Sequence, residues 1–191
     1  MRIIGGSARG LRLADVGAGD VTARLRPTSD RVREAIFNLL INGGYGDPVT
    51  GAEVLDLFAG TGALGLEALS RGAARATFIE NGRTALALLQ RNIALLQAGA
   101  RCSILRRDAT RPGTCPDTGV DLVFLDPPYG TGQGETALTA LAGSGWLRPD
   151  ALIVWEDRNP HPLPSGFRRL DQRRYGDTTV TIAALATPPG D

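Results

Sequence analysis

The stretch Val54-Leu55-Asp56-Leu57-Phe58-Ala59-Gly60-Thr61-Gly62-Ala63-Leu64-Gly65 decides the fold. Its first five residues form the short, mostly apolar run of a buried strand, and Gly60 to Gly65 match the pattern G-x-G-x-x-G. A glycine loop that follows a strand and opens a helix lets a ligand approach the backbone closely. Glu80 ends the next apolar run, where a carboxylate can hold ribose hydroxyls. The stretch therefore predicts a nucleotide-like ligand at the carboxyl edge of a parallel sheet.

Strand and helix patterns alternate on both sides of this stretch. The predicted strands are residues 54–58, 75–79, 103–106, 120–125 and 151–156, with a closing hairpin of 167–173 and 178–185. The predicted helices are residues 63–71, one through Leu86, Leu89, Ile93 and Leu96, and residues 135–142. This alternation predicts an α/β fold with a mostly parallel sheet and helices on both faces.

A smaller unit precedes this core. Residues 2–13 predict a small β-hairpin, and a helix follows that Thr28 or Ser29 can cap and that Gly43-Gly44 ends. We therefore expect one domain, residues 1–191, made of an extension (1–44) and a catalytic core (45–191).

The motif Asp126-Pro127-Pro128-Tyr129 directly follows the strand predicted at 120–125. Two prolines stop a strand and remove two amide donors, so nearby carbonyls are left to accept hydrogen bonds. An acid, rigid carbonyls and an aromatic ring suit a planar group that bears an NH₂, because the amine donates while the ring stacks. The alternative is a strand-ending turn with a chance aromatic residue.

Composition excludes several classes of protein. The 191 residues are 42% hydrophobic and 21% charged, as in globular proteins. No apolar run reaches the ~20 residues that cross a bilayer, and the amino terminus lacks the apolar core of a signal peptide, so we expect a cytoplasmic protein. Two cysteines and the lone His161 are too few for a disulfide framework or a usual zinc site, so we expect no metal.

Every basic residue is an arginine, and the amino end is rich in them. Residues 1–33 carry seven arginines and three aspartates, a local charge of +4. Arginine binds phosphate through two donors and stacks on bases, so this end is a candidate RNA surface; the alternative is a solvated face that reflects biased codon usage. The candidate substrate-binding residues are Arg2, Arg9, Arg12, Arg24 and Arg31.

Two cofactors fit the glycine loop, because NAD and S-adenosylmethionine both carry an adenosine ribose. A carboxylate at Asp56 would repel a pyrophosphate and attract the ammonium and sulfonium of S-adenosylmethionine, although Asp56 could instead be a solvated or capping group. Asp108, after the third strand, could accept from the adenine amine or could be a helix N-cap. The residues favour S-adenosylmethionine over a dehydrogenase cofactor.

Taken together, these residues resemble class I S-adenosylmethionine-dependent methyltransferases. More narrowly, the chain resembles the bacterial family that methylates the N2 amine of a guanine in 16S ribosomal RNA of the small subunit. The matching blocks are Arg2-Ile3-Ile4-Gly5-Gly6 with Arg9-Gly10, residues 26–38 from Arg26-Pro27-Thr28 to Asn38, residues 56–72, the proline motif and Tyr175-Gly176-Asp177-Thr178-Thr179.

The resemblance implies a Rossmann-like sheet of seven strands with the last one antiparallel. It implies an enzyme that acts on 16S ribosomal RNA or on a small-subunit assembly particle. Residue chemistry leaves the oligomeric state open, and we expect a monomer. The candidate cofactor-binding residues are Thr28, Asp56, Phe58, Gly60, Thr61, Gly62, Glu80, Asn81, Asp108 and Ala109. The candidate catalytic residues, which would hold the target base, are Asp126, Pro127 and Tyr129.

Three other functions stay open at this point. An adenine-N6 DNA or RNA methyltransferase uses a similar proline motif, although 191 residues leave little room for a separate target-recognition segment. A protein-glutamine methyltransferase would normally have Asn in place of Asp126. A non-catalytic RNA-binding assembly factor could keep the same fold, but Asp126 and Tyr129 together favour an enzyme. The choice of guanine rests on the resemblance alone, and the 112–119 loop matches the family poorly.

Overall fold

The alternating pattern after residue 53 folds into one sheet of seven strands in the computed structural model, which describes residues 1–15, 29–159 and 162–186. The strands are β1 (Glu53–Leu57), β2 (Arg75–Ile79), β3 (Cys102–Leu105), β4 (Val120–Leu125), β5 (Leu147–Asp157), β6 (Phe167–Tyr175) and β7 (Thr178–Leu185). The helices are α1 (Asp30–Asn42), α2 (Ala63–Ser70), α3 (Arg83–Leu95) and α4 (Gln133–Leu141), with a 3-10 turn at Gly99–Arg101.

The strand order is β3-β2-β1-β4-β5-β7-β6. Strands β1 to β5 pair in parallel, and β7 pairs antiparallel with both β5 and β6. The chain leaves β1 toward β2 on one side and returns to β4 on the other, so the two halves of the sheet diverge at β1 and β4. Such a switch point is where open α/β sheets bind ligands. The predicted Rossmann-like fold with an antiparallel last strand is confirmed.

The core has two parts because the sheet is covered on both faces. Helices α1, α2 and α3 bury Ile36, Leu66 and Leu89 against one face, and α4 buries Leu138 and Leu141 against the other. Strand residues alternate between the two faces, as the two-residue period of a strand requires. Within the described residues, no helix is long and apolar enough to span a membrane.

The predicted amino-terminal hairpin is shorter than expected. Its strand pairing is a single bridge between Arg2 and Arg12. The turn between them binds the end of α2 instead: the Ser7 N–H donates to the Ser70 carbonyl at 2.7 Å, and the Ser70 hydroxyl donates to the Gly5 carbonyl at 2.6 Å. Backbone groups in the turn of the hairpin therefore form hydrogen bonds with polar groups at the end of α2.

Strand β5 differs most from its predicted bounds, whereas the cap of α1 is one of the two predicted residues. Strand β5 begins at Leu147 rather than at 151, and it passes through Pro149. Its pairing with β4 shifts between Val120 and Leu122, and an irregularity of this kind accommodates a proline within a strand. At α1, Ser29 is the cap, because its side chain accepts from the Val32 N–H; Thr28 lies outside the described residues.

Candidate active site

The parallel register brings residues that are distant in the chain to one edge of the sheet. Leu57 is level with Ile79 and Leu125, and Leu125 is level with Trp155. The glycine loop, Glu80 and Asp126 therefore follow neighbouring strands at the same level. The edge also receives Glu156, the penultimate residue of β5.

The glycine loop has an unusual backbone. Phe58 has φ 57°, Gly60 has φ 56° and Gly62 has φ 80°. For a bulky residue such as Phe58 this left-handed conformation costs about 1–3 kcal/mol, and such strain concentrates at ligand sites. A Cβ on Gly62 would lie 2.4 Å from Leu89 Cδ1, so the loop packs directly against α3. The loop is thus held in one shape at the switch point.

Asp56 is buried next to this loop. It is 2% exposed, and its Oδ2 accepts from the Gly65 N–H at 2.9 Å. Burial raises the pKa of Asp56 to about 8; the Gly65 hydrogen bond lowers it, and the nearby Glu80 adds to the rise. This raised pKa favours the neutral form of Asp56 in this geometry, and its role at the cofactor stays a prediction.

Glu80 joins the glycine loop to the end of β2. Its Oε2 accepts from the Gly60 N–H at 2.8 Å, and its Oε1 accepts from the N–H groups of Asn81 and Gly82 at 2.8 and 2.6 Å. A carboxylate has about four acceptor positions, so these bonds leave capacity for a hydroxyl donor. Glu80 is only partly buried, which suits a residue that meets a ligand.

Asp108 shapes a turn after β3. Its Oδ1 accepts from both the backbone N–H and the hydroxyl of Thr110 at 2.8 Å, and these bonds lower the pKa of Asp108. The side chain is exposed, whereas Ala109 is 4% exposed and packs into the core. No helix begins at Asp108 in the described segment between β3 and β4, so the alternative of a helix N-cap is wrong, and the carboxylate closes a turn instead.

Thr61 faces the amino-terminal segment. Its hydroxyl lies 3.8 Å from Met1 Sδ, and its carbonyl accepts from Asn92 Nδ2 at 2.9 Å. Asn92 is fully buried and also exchanges two hydrogen bonds with the Ala14 backbone, at 2.7 and 3.0 Å. Sequence reasoning missed Asn92 because its helix has an ordinary amphipathic pattern; a polar residue on the apolar face of that helix was the available signal.

Tyr129 follows β4 and lies among polar groups at the end of β5 and in the closing hairpin. Its hydroxyl donates to Glu156 Oε1 at 3.3 Å, and the nearby Thr178 side chain acts to lower the pKa of Tyr129. Burial, then Asp126, then Glu156 raise the pKa of Tyr129 above its ordinary value. The guanidinium carbon of Arg158 lies 5.4 Å from the ring centre. Asp126 therefore lies close enough to Tyr129 for its charge to act on the phenol, and the role of both residues at the target base stays a prediction.

Sequence reasoning also missed Glu156, Arg158 and Thr178. Glu156 is 3% exposed and ended a predicted strand, so the rule that selected Glu80 and Asp126 would have selected it as well. Arg158 and Thr178 carry no local signal, because their contacts with Tyr129 join separate elements. Pro127 is buried and Pro128 is exposed, with its carbonyl accepting from the Thr131 hydroxyl at 2.7 Å.

The amino-terminal arginines divide into surface and buried groups. Arg9, Arg12 and Arg31 are exposed, and Arg2, also exposed, has its Nε 3.7 Å from Asp30 Oδ2. Arg33 is fully buried; it pairs with Asp30 at 2.8 Å and with Glu67 at 3.5 Å. The fifth candidate for RNA binding, Arg24, lies outside the described residues.

A family model described as "Conserved hypothetical protein 95" matches residues 1–184. The chain belongs to this family. Among the relatives of this chain, "Ribosomal RNA small subunit methyltransferase D" of Escherichia coli (strain K12) is 41% identical over 165 residues, which is 86% of this chain and 78% of that protein. The protein of the same name from Haemophilus influenzae is 35% identical over 183 residues, 92% of this chain and 89% of that protein.

A solved structure supports the same assignment. It is yhhF from Escherichia coli, provisionally named a methyltransferase, with a TM-score of 0.80, 36% identity, and coverage of 98% of this chain and 99% of that chain. The resemblance drawn from the motifs is therefore confirmed: the chain is a member of this family of class I methyltransferases.

Proposed function

We propose that this protein transfers a methyl group from S-adenosylmethionine to the N2 amine of a guanine in 16S ribosomal RNA. The observation that carries the proposal is the position of Asp126-Pro127-Pro128-Tyr129 at the end of β4, beside the glycine loop at the end of β1. The names of the relatives support ribosomal RNA as the substrate. The motif resemblance supports guanine N2.

The donors and acceptors at the sheet edge fit S-adenosylmethionine. Glu80 is a carboxylate acceptor for the ribose hydroxyls, and Asp108 is an exposed acceptor for the adenine amine. The strained loop from Phe58 to Gly62 would approach the methionine part of the cofactor, where its glycines allow close contact. When bound, the cofactor supplies a methyl group on a positively charged sulfur.

The proline motif would activate the target amine. The lone pair of guanine N2 is delocalised into the ring, so the amine is a poor nucleophile. Asp126 and the Pro127 carbonyl would accept its two hydrogens and favour a more pyramidal nitrogen, aligned for direct in-line transfer. Asp126 would then take the proton that the nitrogen loses, and positioning would supply much of the acceleration.

Tyr129 would stack on the base after it has swung out of its RNA helix. Such a contact is worth roughly 1–3 kcal/mol per base. The raised pKa of Tyr129 keeps its hydroxyl neutral, so it can donate to Glu156 while the ring faces the base. Glu156 and Thr178 are accordingly positioning residues for the stacking ring.

The substrate is tested by identifying the methylated nucleoside. Purified protein is incubated with labelled S-adenosylmethionine and, separately, with 16S RNA, small ribosomal subunits and duplex DNA, and each product is digested to nucleosides. We expect N2-methylguanosine from 16S RNA or from small subunits. N6-methyladenosine would instead establish the adenine enzyme, and cofactor binding without any transfer would indicate an assembly factor.

Calorimetry tests the cofactor separately. We expect S-adenosylmethionine or its demethylated product to bind, and NAD not to bind. Tighter binding of NAD would contradict the proposed chemistry.

A further inference from the structure

The edge strand β6 carries an exposed basic surface that the proposed function does not use. Its sequence from Phe167 to Tyr175 contains four arginines and one aspartate, a local charge of +3. All four arginines are exposed: Arg168, Arg169, Arg173 and Arg174. Two lie near the start of the strand and two near its end.

The two arginine pairs lie at opposite ends of β6, and therefore near opposite ends of the neighbouring strands. Arg173 is level with Val180 of β7, which is level with Glu156 of β5. Two strand spacings, about 10 Å, therefore separate the Arg173 backbone from that of Glu156. Arg168 is level with Ala184 and, through it, with Leu152, which precedes Glu156 along β5 by about 13 Å.

The end of β6 is also connected to the base-stacking tyrosine by contacts. Tyr175 pairs with Thr178 across the closing turn, and the Thr178 side chain lies close enough to the Tyr129 hydroxyl to act on its pKa. Arg158 adds a third exposed guanidinium, which lies over the Tyr129 ring. Exposed cations thus extend from the stacking ring to the end of the edge strand.

The local contacts of these arginines leave donors for a ligand. Arg173 Nε lies 3.1 Å from Asp171 Oδ2, yet its side chain is 59% exposed. Arg174 Nε donates to the Gly176 carbonyl at 3.0 Å. A guanidinium has five N–H donors, and the fork of its two terminal nitrogens matches a phosphate.

Edge strands also carry charge for another reason, because charged side chains prevent pairing between the sheets of different molecules. Protection of the edge would depend equally on the arginines at both ends of β6. It would not explain Arg158, which follows β5 and contacts the ring of Tyr129. The two explanations therefore make different predictions for the two arginine pairs.

We infer that Arg158, Arg173 and Arg174 form an RNA-binding surface that holds phosphates next to the target nucleotide. The inference rests on the proposed function, since it takes Tyr129 as the group that stacks on the target base. A base that has left its RNA helix brings its own backbone to the rim of the site around Tyr129, where the guanidinium groups of arginines bind phosphates.

The strand itself supplies a matched control. R173Q/R174Q and R168Q/R169Q remove the same number of charges from the same strand, and R173K/R174K keeps the charge at the tested end. Binding to a fluorescein-labelled 16S RNA fragment is measured over a salt series, and methyl transfer to small subunits is measured with each variant. Unfolding midpoints confirm that each variant is folded.

We expect R173Q/R174Q to reduce the log–log salt slope by about 1.4–1.8, because each phosphate that is no longer neutralised removes roughly 0.7–0.9. The RNA KM should rise at least about tenfold at low salt, with kcat nearly unchanged. R168Q/R169Q should change the slope by less than about 0.4, half the value for one phosphate. R173K/R174K should retain most of the wild-type slope.

Equal slopes for the two glutamine variants would overturn the inference, and if both slopes equal that of wild type, edge protection remains as the role of β6. The same series separates this inference from the proposed function. The expected slope difference without any N2-methylguanosine from wild-type protein would contradict the proposed function and support the RNA surface. Normal methylation with an unchanged R173Q/R174Q slope would contradict only the surface.

Discussion

At the scale of single residues, Asp56 combines an expected position with an unexpected environment. It follows the pattern of an acid before a glycine loop, but its carboxyl group is buried and accepts from the Gly65 N–H. The role that this geometry supports is to hold the loop against α2. Its effect on the cofactor would then pass through the shape of the loop.

The raised pKa of Asp56 makes a prediction about stability. The folded-state pKa is about 8, and the pKa of an unfolded aspartate is about 3.9. Between these values the folded protein binds the proton more strongly, so the contribution of Asp56 is fully present at low pH and is lost as pH rises through about 8. Wild-type protein should therefore lose stability relative to Asp56→Asn from about pH 4 to 8, as measured by urea unfolding. A difference that stays constant over this window would contradict the raised pKa.

Measuring cofactor affinity in two variants distinguishes the effect of the charge of Asp56 from the effect of its hydrogen bond. Asp56→Ala removes the acceptor for the Gly65 N–H and should weaken S-adenosylmethionine binding by about 1–3 kcal/mol. Asp56→Asn keeps an acceptor of similar shape and should retain most of the affinity in calorimetry. Equal losses in the two variants would show that the negative charge itself binds the cofactor.

At the scale of elements, helix α2 joins the glycine loop at its start to the amino-terminal segment at its end. The fully buried Glu67 accepts from the N–H groups of Ile4 and Gly5, both at 2.8 Å. It also pairs with Arg71 at 2.7 Å and with Arg33 at 3.5 Å. Breaking a buried pair of this kind on one side is costly, so these contacts fix the segment to the core.

Two glycines of this segment test that contact. Gly6 and Gly10 both have left-handed backbones, with φ 74° and 87°, so alanine costs roughly 1–2 kcal/mol at either. A Cβ on Gly6 would lie 1.9 Å from the Ser70 carbonyl oxygen, whereas a Cβ on Gly10 meets nothing within 4 Å. Gly6→Ala should lower the free energy of unfolding by about 1–3 kcal/mol more than Gly10→Ala. Equal losses of unfolding free energy in the two variants would mean that the turn does not pack against α2.

Hydrophobic periodicity predicted the elements well where the signal was local. It indicated every strand of the sheet within a few residues, and the strand-end rule indicated Glu80 and Asp126. It did not indicate the start of β5, because Pro149 and Asp150 are typical strand breakers that a bulge accommodates here. It also could not predict the pairing of Arg33 with Glu67, since charged residues inside helices usually face water.

At the scale of the whole molecule, RNA binding is the property that most depends on surface charge. Replacing Arg2, Arg9, Arg12 and Arg24 together by Gln should weaken binding and reduce the salt slope by roughly 0.7–0.9 for each phosphate that these arginines neutralise. Cofactor affinity should stay nearly unchanged. Because Arg2 already lies 3.7 Å from Asp30, it should contribute less than Arg9 or Arg12. An unchanged salt slope would mean that these arginines form only a solvated face.

The proposed function gives the carboxylate after β4 a direct role at the target amine of a ribosomal RNA guanine. Single-turnover methyl transfer to small ribosomal subunits by wild type and Asp126→Ala, with cofactor affinity measured in parallel, tests this role. We expect N2-methylguanosine from wild type, a rate more than about a hundredfold lower in the variant, as for loss of a positioned acid–base group, and nearly unchanged cofactor affinity. Near-normal turnover by Asp126→Ala would contradict this role and leave the proline motif as a structural turn.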